Sequence, residues 1–241
     1  MLFPLIKYNI SYYVKSAKYV PPVILFAIVI SVIYSTAPIG IWSNLHVTTI
    51  VIFIFASWIA TSFVNSEDET QQYITMLHVK HVKNETTYHL SKIVAIIAFL
   101  IPFYIITLSI PLILGSFTRN LLISEVFVYI VVYFSIGLLG TSIGVFFNSF
   151  IFSDEISILV LLAVIMITIV PFNVIFEDNL LIAYAYYLLP PVNFMADRLH
   201  NLGEGIFLMD LNFLIFVVWV LGYSLLLITL YNIVIQKKLR D

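Results

Sequence analysis

Residues 121–147 read LLISEVFVYIVVYFSIGLLGTSIGVFF, with one ionisable side chain, Glu125, in all 27 positions. At ~1.5 Å of rise per residue such a helix is about 40 Å long, more than the roughly 30 Å hydrocarbon core of a bilayer. The stretch therefore reads as a membrane span that tilts or keeps its first turns in the headgroup layer, near which Glu125 falls. Five further apolar runs flank it, at about 20–38, 45–64, 93–114, 156–176 and 211–235. Only 10% of the 241 residues are charged and 62% are hydrophobic, too little charge to cover a water-facing shell, so lipid must face most of the outside. These features predict an all-α membrane protein formed by a single transmembrane domain over 1–241, with six transmembrane helices and no room for a soluble catalytic domain.

The distribution of basic residues orients the spans. With both termini on one side, that side carries Lys7, Lys15, Lys18, Lys80, Lys83, Lys92, Lys237, Lys238 and Arg240, and the other only Arg119 and Arg198. The bias predicts cytoplasmic N- and C-termini in a multi-pass cell-membrane protein. The apolar segment 180–189 is ten residues long, half a bilayer as a helix, which predicts a re-entrant or interfacial element within an outer loop over 177–210.

Residues 1–19 predict a retained surface helix rather than a cleaved leader. Ile6, Ile10, Tyr13, Val14 and Ala17 recur at helical spacing beside a face of Lys7, Ser11, Lys15 and Lys18, the pattern of an interfacial amphipathic helix, before Pro21-Pro22 redirects the chain.

The loop at 65–92 is the richest cytoplasmic segment. Ser66-Glu67-Asp68-Glu69 has the spacing of a capping box, and the three acids suit the positive end of a helix dipole. Tyr73, Ile74, Met76 and Leu77 follow as an apolar edge, which suits a docking helix for a soluble subunit. His78, His81, Glu85 and His89 share a helical face, but nearby Lys80, Lys83 and Asn84 favour a solvated segment, and no metal is expected. Nucleotide-binding loops, the zinc-protease signature and the nucleophile elbow are all absent from the sequence, so neither enzymatic activity nor a cofactor of this chain's own is expected. A net charge of -2 gives no footprint for nucleic acid, and the lack of Cys excludes disulfides and thiolate chemistry. Gly137, Gly140 and Gly144 smooth one face of the fourth span, predicting close helix packing within the chain.

Glu67-Asp68-Glu69, then Gln72 to Leu77, then Ser91-Lys92 resemble in their order the coupling loop of ABC-2 type ABC exporters, and Leu188 to Leu199 resembles that family's outer re-entrant loop. Ser91 stands where the family often has Gly, and His78-Val79-Lys80-His81 replaces a frequent Pro-x-x-Arg. The short chain is most similar to small peptide exporters of the family, such as bacteriocin-immunity permeases and phenol-soluble modulin exporters. The resemblance implies a bacterial membrane (permease) subunit pairing with itself or a paralogue, and a separate ABC ATPase subunit that binds ATP and Mg. That ATPase would dock on Ser66, Glu67, Asp68, Glu69, Tyr73, Ile74, Met76, Leu77 and His78, and on the N-terminal helix at Lys7. It further implies an amphipathic peptide substrate moving past Ser57, Thr61 and Ser62, with lipid around the whole. The alternative reading is a membrane immunity or sensor protein that binds peptide without transporting it.

Overall fold

The computed structural model describes residues 2–67, 70–72, 74–75, 86–147, 161–164, 190, 192 and 211–238. Most of the predicted fifth span and outer loop therefore lies outside the described residues, as do Asp68, Glu69, Tyr73, Met76, Leu77 and His78. The long helices are α1 (Leu2–Ser16), α2 (Val20–Tyr34), α3 (Ile41–Val64), α4 (Thr86–Ile113), α5 (Ile123–Phe146) and α6 (Leu211–Lys238), and no strand occurs among the described residues. Four of these, α3 to α6, are long and apolar enough to cross a membrane. Among the described residues the chain is all-helical, and its long apolar helices are those of a multi-pass membrane protein.

Local chemistry explains the breaks. Ala17 sits at φ 54, and Pro21 and Pro22 occupy the first turn of α2, where a missing N–H costs no helical bond. The result is a bend of 81° between α1 and α2. The second helix ends at Tyr34, four residues before the end of the predicted run, because the Ser35 and Thr36 hydroxyls turn back to the Val32 and Ile33 carbonyls. Gly115, at φ 63, closes α4 as the Ser116 N–H reaches the Pro111 carbonyl, a conformation that favours glycine. At the start of α5 the Glu125 carboxylate accepts from the Leu122 N–H and takes both Arg119 nitrogens, at 2.6 and 3.0 Å.

The centre of the bundle is the pair α3 and α5, which share the most extensive interface. At least two-thirds of their central windows are buried, against a third or less for α4 and α6, which turn Ile101, Ile105, Ile215 and Val218 outward. In lipid, apolar side chains gain little by facing each other, so close packing and hydrogen bonds decide which faces meet. Gly140 and Gly144 of α5 press against α3: a Cβ on Gly140 would lie 2.7 Å from the Phe53 carbonyl oxygen, and one on Gly144 would lie 2.8 Å from the Ala60 Cβ. The small-residue face thus packs within the chain, as its spacing suggests.

Helix directions follow from the contacts. Tyr34 donates to the Thr107 carbonyl at 2.9 Å and accepts from Asn44, while the Phe26 ring meets Phe55 and Phe103, so α2 runs with α4 and against α3. Tyr129 donates to the Ile41 carbonyl, Thr48 pairs with Tyr133 at 2.8 Å, and Thr61 donates to the Gly144 carbonyl, so α5 runs with α3. Tyr231, near the end of α6, meets His89 at the start of α4, and Phe213 falls in the core cluster of Ile41 and Tyr129 while Ile235 falls in that of Tyr13 and Phe63, so α6 runs the same way. One end of the bundle therefore gathers α1, the end of α3, the start of α4 and the ends of α5 and α6. The opposite end holds the turns at 35–40 and 114–122, tied by the Ile39 N–H to the Ser116 carbonyl at 2.8 Å.

Candidate functional site

The end that gathers α1 also collects the buried polar groups of the 65–92 segment. Asn9, Glu67, Gln72, Tyr88, His89, Ser91 and Lys92 are each 5% exposed or less. Their arrangement follows from the helical start of α4, where side chains on successive residues point to different neighbours. Tyr88 donates its hydroxyl to Glu67, just beyond α3. His89 Nδ1 lies 3.3 Å from the Tyr231 hydroxyl of α6. Ser91 accepts from Asn9 of α1 at 3.1 Å. Lys92 closes the turn with its ammonium 2.7 Å from the Glu67 carboxylate and 4.8 Å above the Tyr88 ring. One turn of α4 thus fastens three other elements.

Around this knot the chain secures the root of the predicted docking loop. Gln72 donates to the Val64 and Glu67 carbonyls at 3.2 and 2.9 Å, satisfying acceptors at and just beyond the end of α3. Tyr12 donates to the Gln71 side chain at 2.8 Å, and the Lys18 ammonium donates to the Asn65 carbonyl at 2.8 Å. The Tyr8 phenol is held above its ordinary pKa by burial and then by the Glu67 charge. Burial pushes Tyr13, which donates to Ser62, up to about 12. Both phenols are therefore neutral across the physiological range, and what neutrality contributes to folding persists below pH ~10, the ordinary tyrosine value.

Glu67 is held inside the bundle. Read in sequence as one of three acids at the head of a docking helix, it is buried and spoken for by Lys92 and Tyr88. The Ser66 hydroxyl donates back to the Phe63 carbonyl at 2.7 Å, while Glu69, its expected capping partner, lies outside the described residues. Residues 70–72 and 74–75 are helical, and Ile74 is 49% exposed, which leaves an apolar side chain on the outside of the segment. Lys7 is exposed on α1. The available signal for the ion pair was the position of its members, Lys92 one residue before an apolar run and Glu67 three residues after one.

The three residues expected along a substrate path divide. Ser57 is fully buried under α5 and donates to its own helix at the Phe53 carbonyl. Thr61 and Ser62 line a groove of about 450 Å³ together with Ile54, Trp58, Asn65 and Leu161. Thr61 also shares its proton between the Ser57 and Gly144 carbonyls, both at 3.0 Å. Thr61→Val is expected to remove the bond to α5 and lower stability by about 0.6 kcal/mol, and by no more than ~1.7 kcal/mol, with insertion unchanged. Thermal melting of the purified chain checks this. Among the described residues no three His, Cys, Asp or Glu side chains approach one another as metal ligands would; His78, His81 and Glu85 lie outside them.

Compared with known proteins, the chain matches no family model, no curated protein and no solved structure.

Proposed function

We propose that this chain is the membrane subunit of an ATP-driven exporter of the ABC-2 type, with six spans, both termini in the bacterial cytoplasm and a separate ATPase docked at the end where the polar knot lies. The helix directions support the count of six. The fifth helix finishes at the knot end and α6 starts at the opposite end, so on this reading the chain that joins them crosses an odd number of times. One crossing by the apolar run at 156–176, added to the four long helices and to the bent pair of α1 and α2 counted as one span, makes six. The re-entrant reading of 177–210 adds none.

The observation that carries the docking proposal is the anchoring of the 65–92 segment. A loop that transmits force from a soluble engine must be stiffly rooted, and this one is rooted by a buried ion pair to α4, by Gln72 to the end of α3 and by Tyr12 to α1. In this proposal Glu67 and Ser66 hold the root, while Asp68, Glu69, Tyr73, Ile74, Met76, Leu77 and His78 present the surface. ATP-driven closure of two ATPase subunits then favours one arrangement of two such membrane halves, and the rooted segment passes the bias to the spans. The resemblance to small peptide exporters makes amphipathic peptide the proposed cargo.

Because the chain has no cysteine, single cysteines report topology directly. Cysteines replacing Lys83 or Lys238 are expected to react with a membrane-impermeant maleimide only in inverted vesicles, and one replacing Gly203 only in intact cells. A Lys83 cysteine labelled from outside contradicts the reading.

A further inference from the structure

Outside the polar knot, the exposed side of α1 combines apolar and basic side chains on one surface. Turning about 100° per residue, α1 divides into three sectors. Asn9 and Tyr13 face the bundle and are buried. The edge bearing Tyr8 and Tyr12 is taken by the docking segment, through Tyr12 and Gln71. The rest of the surface is open: Phe3 is 76% and Val14 45% exposed, and beside them Lys7 and Lys15 form a basic strip without an acid anywhere on the helix, with Lys18 following in the turn after it.

Two observations indicate what covers this side. The apolar sector continues around the bend into Val20, Ile24 and Ile28 of α2, which are 37–54% exposed and belong to the lipid-facing belt. The 81° bend turns α1 away from the direction of α2, so the helix lies across the end of the bundle with Phe3 and Val14 at the belt's margin. A cationic strip set directly beside a hydrophobic margin is complementary to a leaflet rich in anionic headgroups, with the side chains of Phe3 and Val14 entering the acyl boundary.

We infer that α1 is a recognition helix for anionic phospholipid, in which Lys7 and Lys15 grip headgroup phosphates of the adjoining leaflet while Phe3 and Val14 anchor in its acyl boundary. Lys18 is partly engaged by the Asn65 carbonyl and contributes less. This surface is independent of what the chain transports. Replacing both Lys7 and Lys15 is expected to weaken the preference for anionic lipid by roughly 30-fold.

The test is titration of the full-length protein in neutral detergent with phosphatidylglycerol and, separately, phosphatidylcholine, with binding read by native mass spectrometry. Wild-type protein is expected to bind phosphatidylglycerol more tightly, and a Lys7→Gln/Lys15→Gln variant to lose the difference while keeping its phosphatidylcholine binding and melting temperature. A Lys7→Arg/Lys15→Arg variant is expected to keep the preference. Equal binding of the two lipids by wild type overturns the inference. So does an unchanged preference in the Gln variant, whether or not that variant loses a co-purifying ATPase; loss of the ATPase would assign the strip to a protein partner.

Discussion

Lys92→Met is expected to destabilise the purified protein by about 3–5 kcal/mol, because it strands the Glu67 carboxylate in a site that is 5% exposed. The Tyr88 hydroxyl still donates to that carboxylate, but a neutral donor does not replace the ammonium 2.7 Å away. The signature of a pair is recovery: Glu67→Gln combined with Lys92→Met leaves no unpaired charge and is expected to regain most of the loss, since a buried ion pair adds little over a neutral arrangement of similar volume. Melting of wild type, both single variants and the double variant in one detergent gives the coupling energy directly. Additive losses would show that the two groups do not act as a pair. The double variant separates stability from rooting, too. It should melt like wild type and, on the reading given above, bind the ATPase normally but couple hydrolysis to transport less tightly.

The second large effect is expected at the contact of α3 with α5. Gly140→Ala places a methyl 2.7 Å from the Phe53 carbonyl oxygen and 2.9 Å from the Ala56 Cβ, and the former contact involves backbone that cannot rotate away. The helices must separate, at a cost of about 1–3 kcal/mol for even one carbon, and Gly144→Leu is expected to exceed that range. Gly144→Ala also drives its methyl into the Ser57 carbonyl, so a compensating Ala60→Gly is expected to rescue it only in part. The control is Gly222→Ala on α6, where nothing lies within 4 Å of the added carbon and melting should be unchanged or slightly raised. If Gly140→Ala melts like Gly222→Ala, the close approach of these two helices is wrong.

What the sequence discloses here depends on which solvent a side chain meets. The apolar runs at 121–147 and 211–235 correspond closely to α5 and α6, and the run at 93–114 to α4 after its first two turns, because the cost of exposing polar backbone to lipid leaves few alternatives. Helix faces are less legible, since an apolar residue serves equally against lipid or protein. In α1 the hydrophobic spacing picks out Val14, which is exposed, as well as the buried Tyr13, and passes over Asn9, which is buried and bonded to Ser91. Small and polar residues carry the missing information: Gly140, Gly144, Thr48 and Thr61 all mark faces where α3 and α5 touch.

The candidate site divides along the same line. That the 65–92 segment is special could be read from its acids and its apolar edge. The burial of Glu67 could not, because the partner, Lys92, is 25 residues away in sequence and α4 begins at Thr86, six residues before that lysine and upstream of the apolar run. Only the return of the helical hairpin brings the two charges to one end of the bundle. Tyr231, 142 residues from His89, is further still from anything a local pattern could join to it.

The central claim is that this chain supplies a path and takes its energy from an attached ATPase. The measurement that tests it most directly is purification of the tagged chain from its native membrane in mild detergent, with stoichiometry read by native mass spectrometry and ATP hydrolysis measured on the same sample. The account predicts one Walker-motif protein per copy, two copies of each in the particle, hydrolysis stimulated by amphipathic peptide, and loss of the ATPase from a Tyr73→Ala/Leu77→Ala variant that still inserts and melts normally. A chain that purifies without an ATPase and binds peptide with no hydrolysis would contradict it and identify a binding or immunity protein instead.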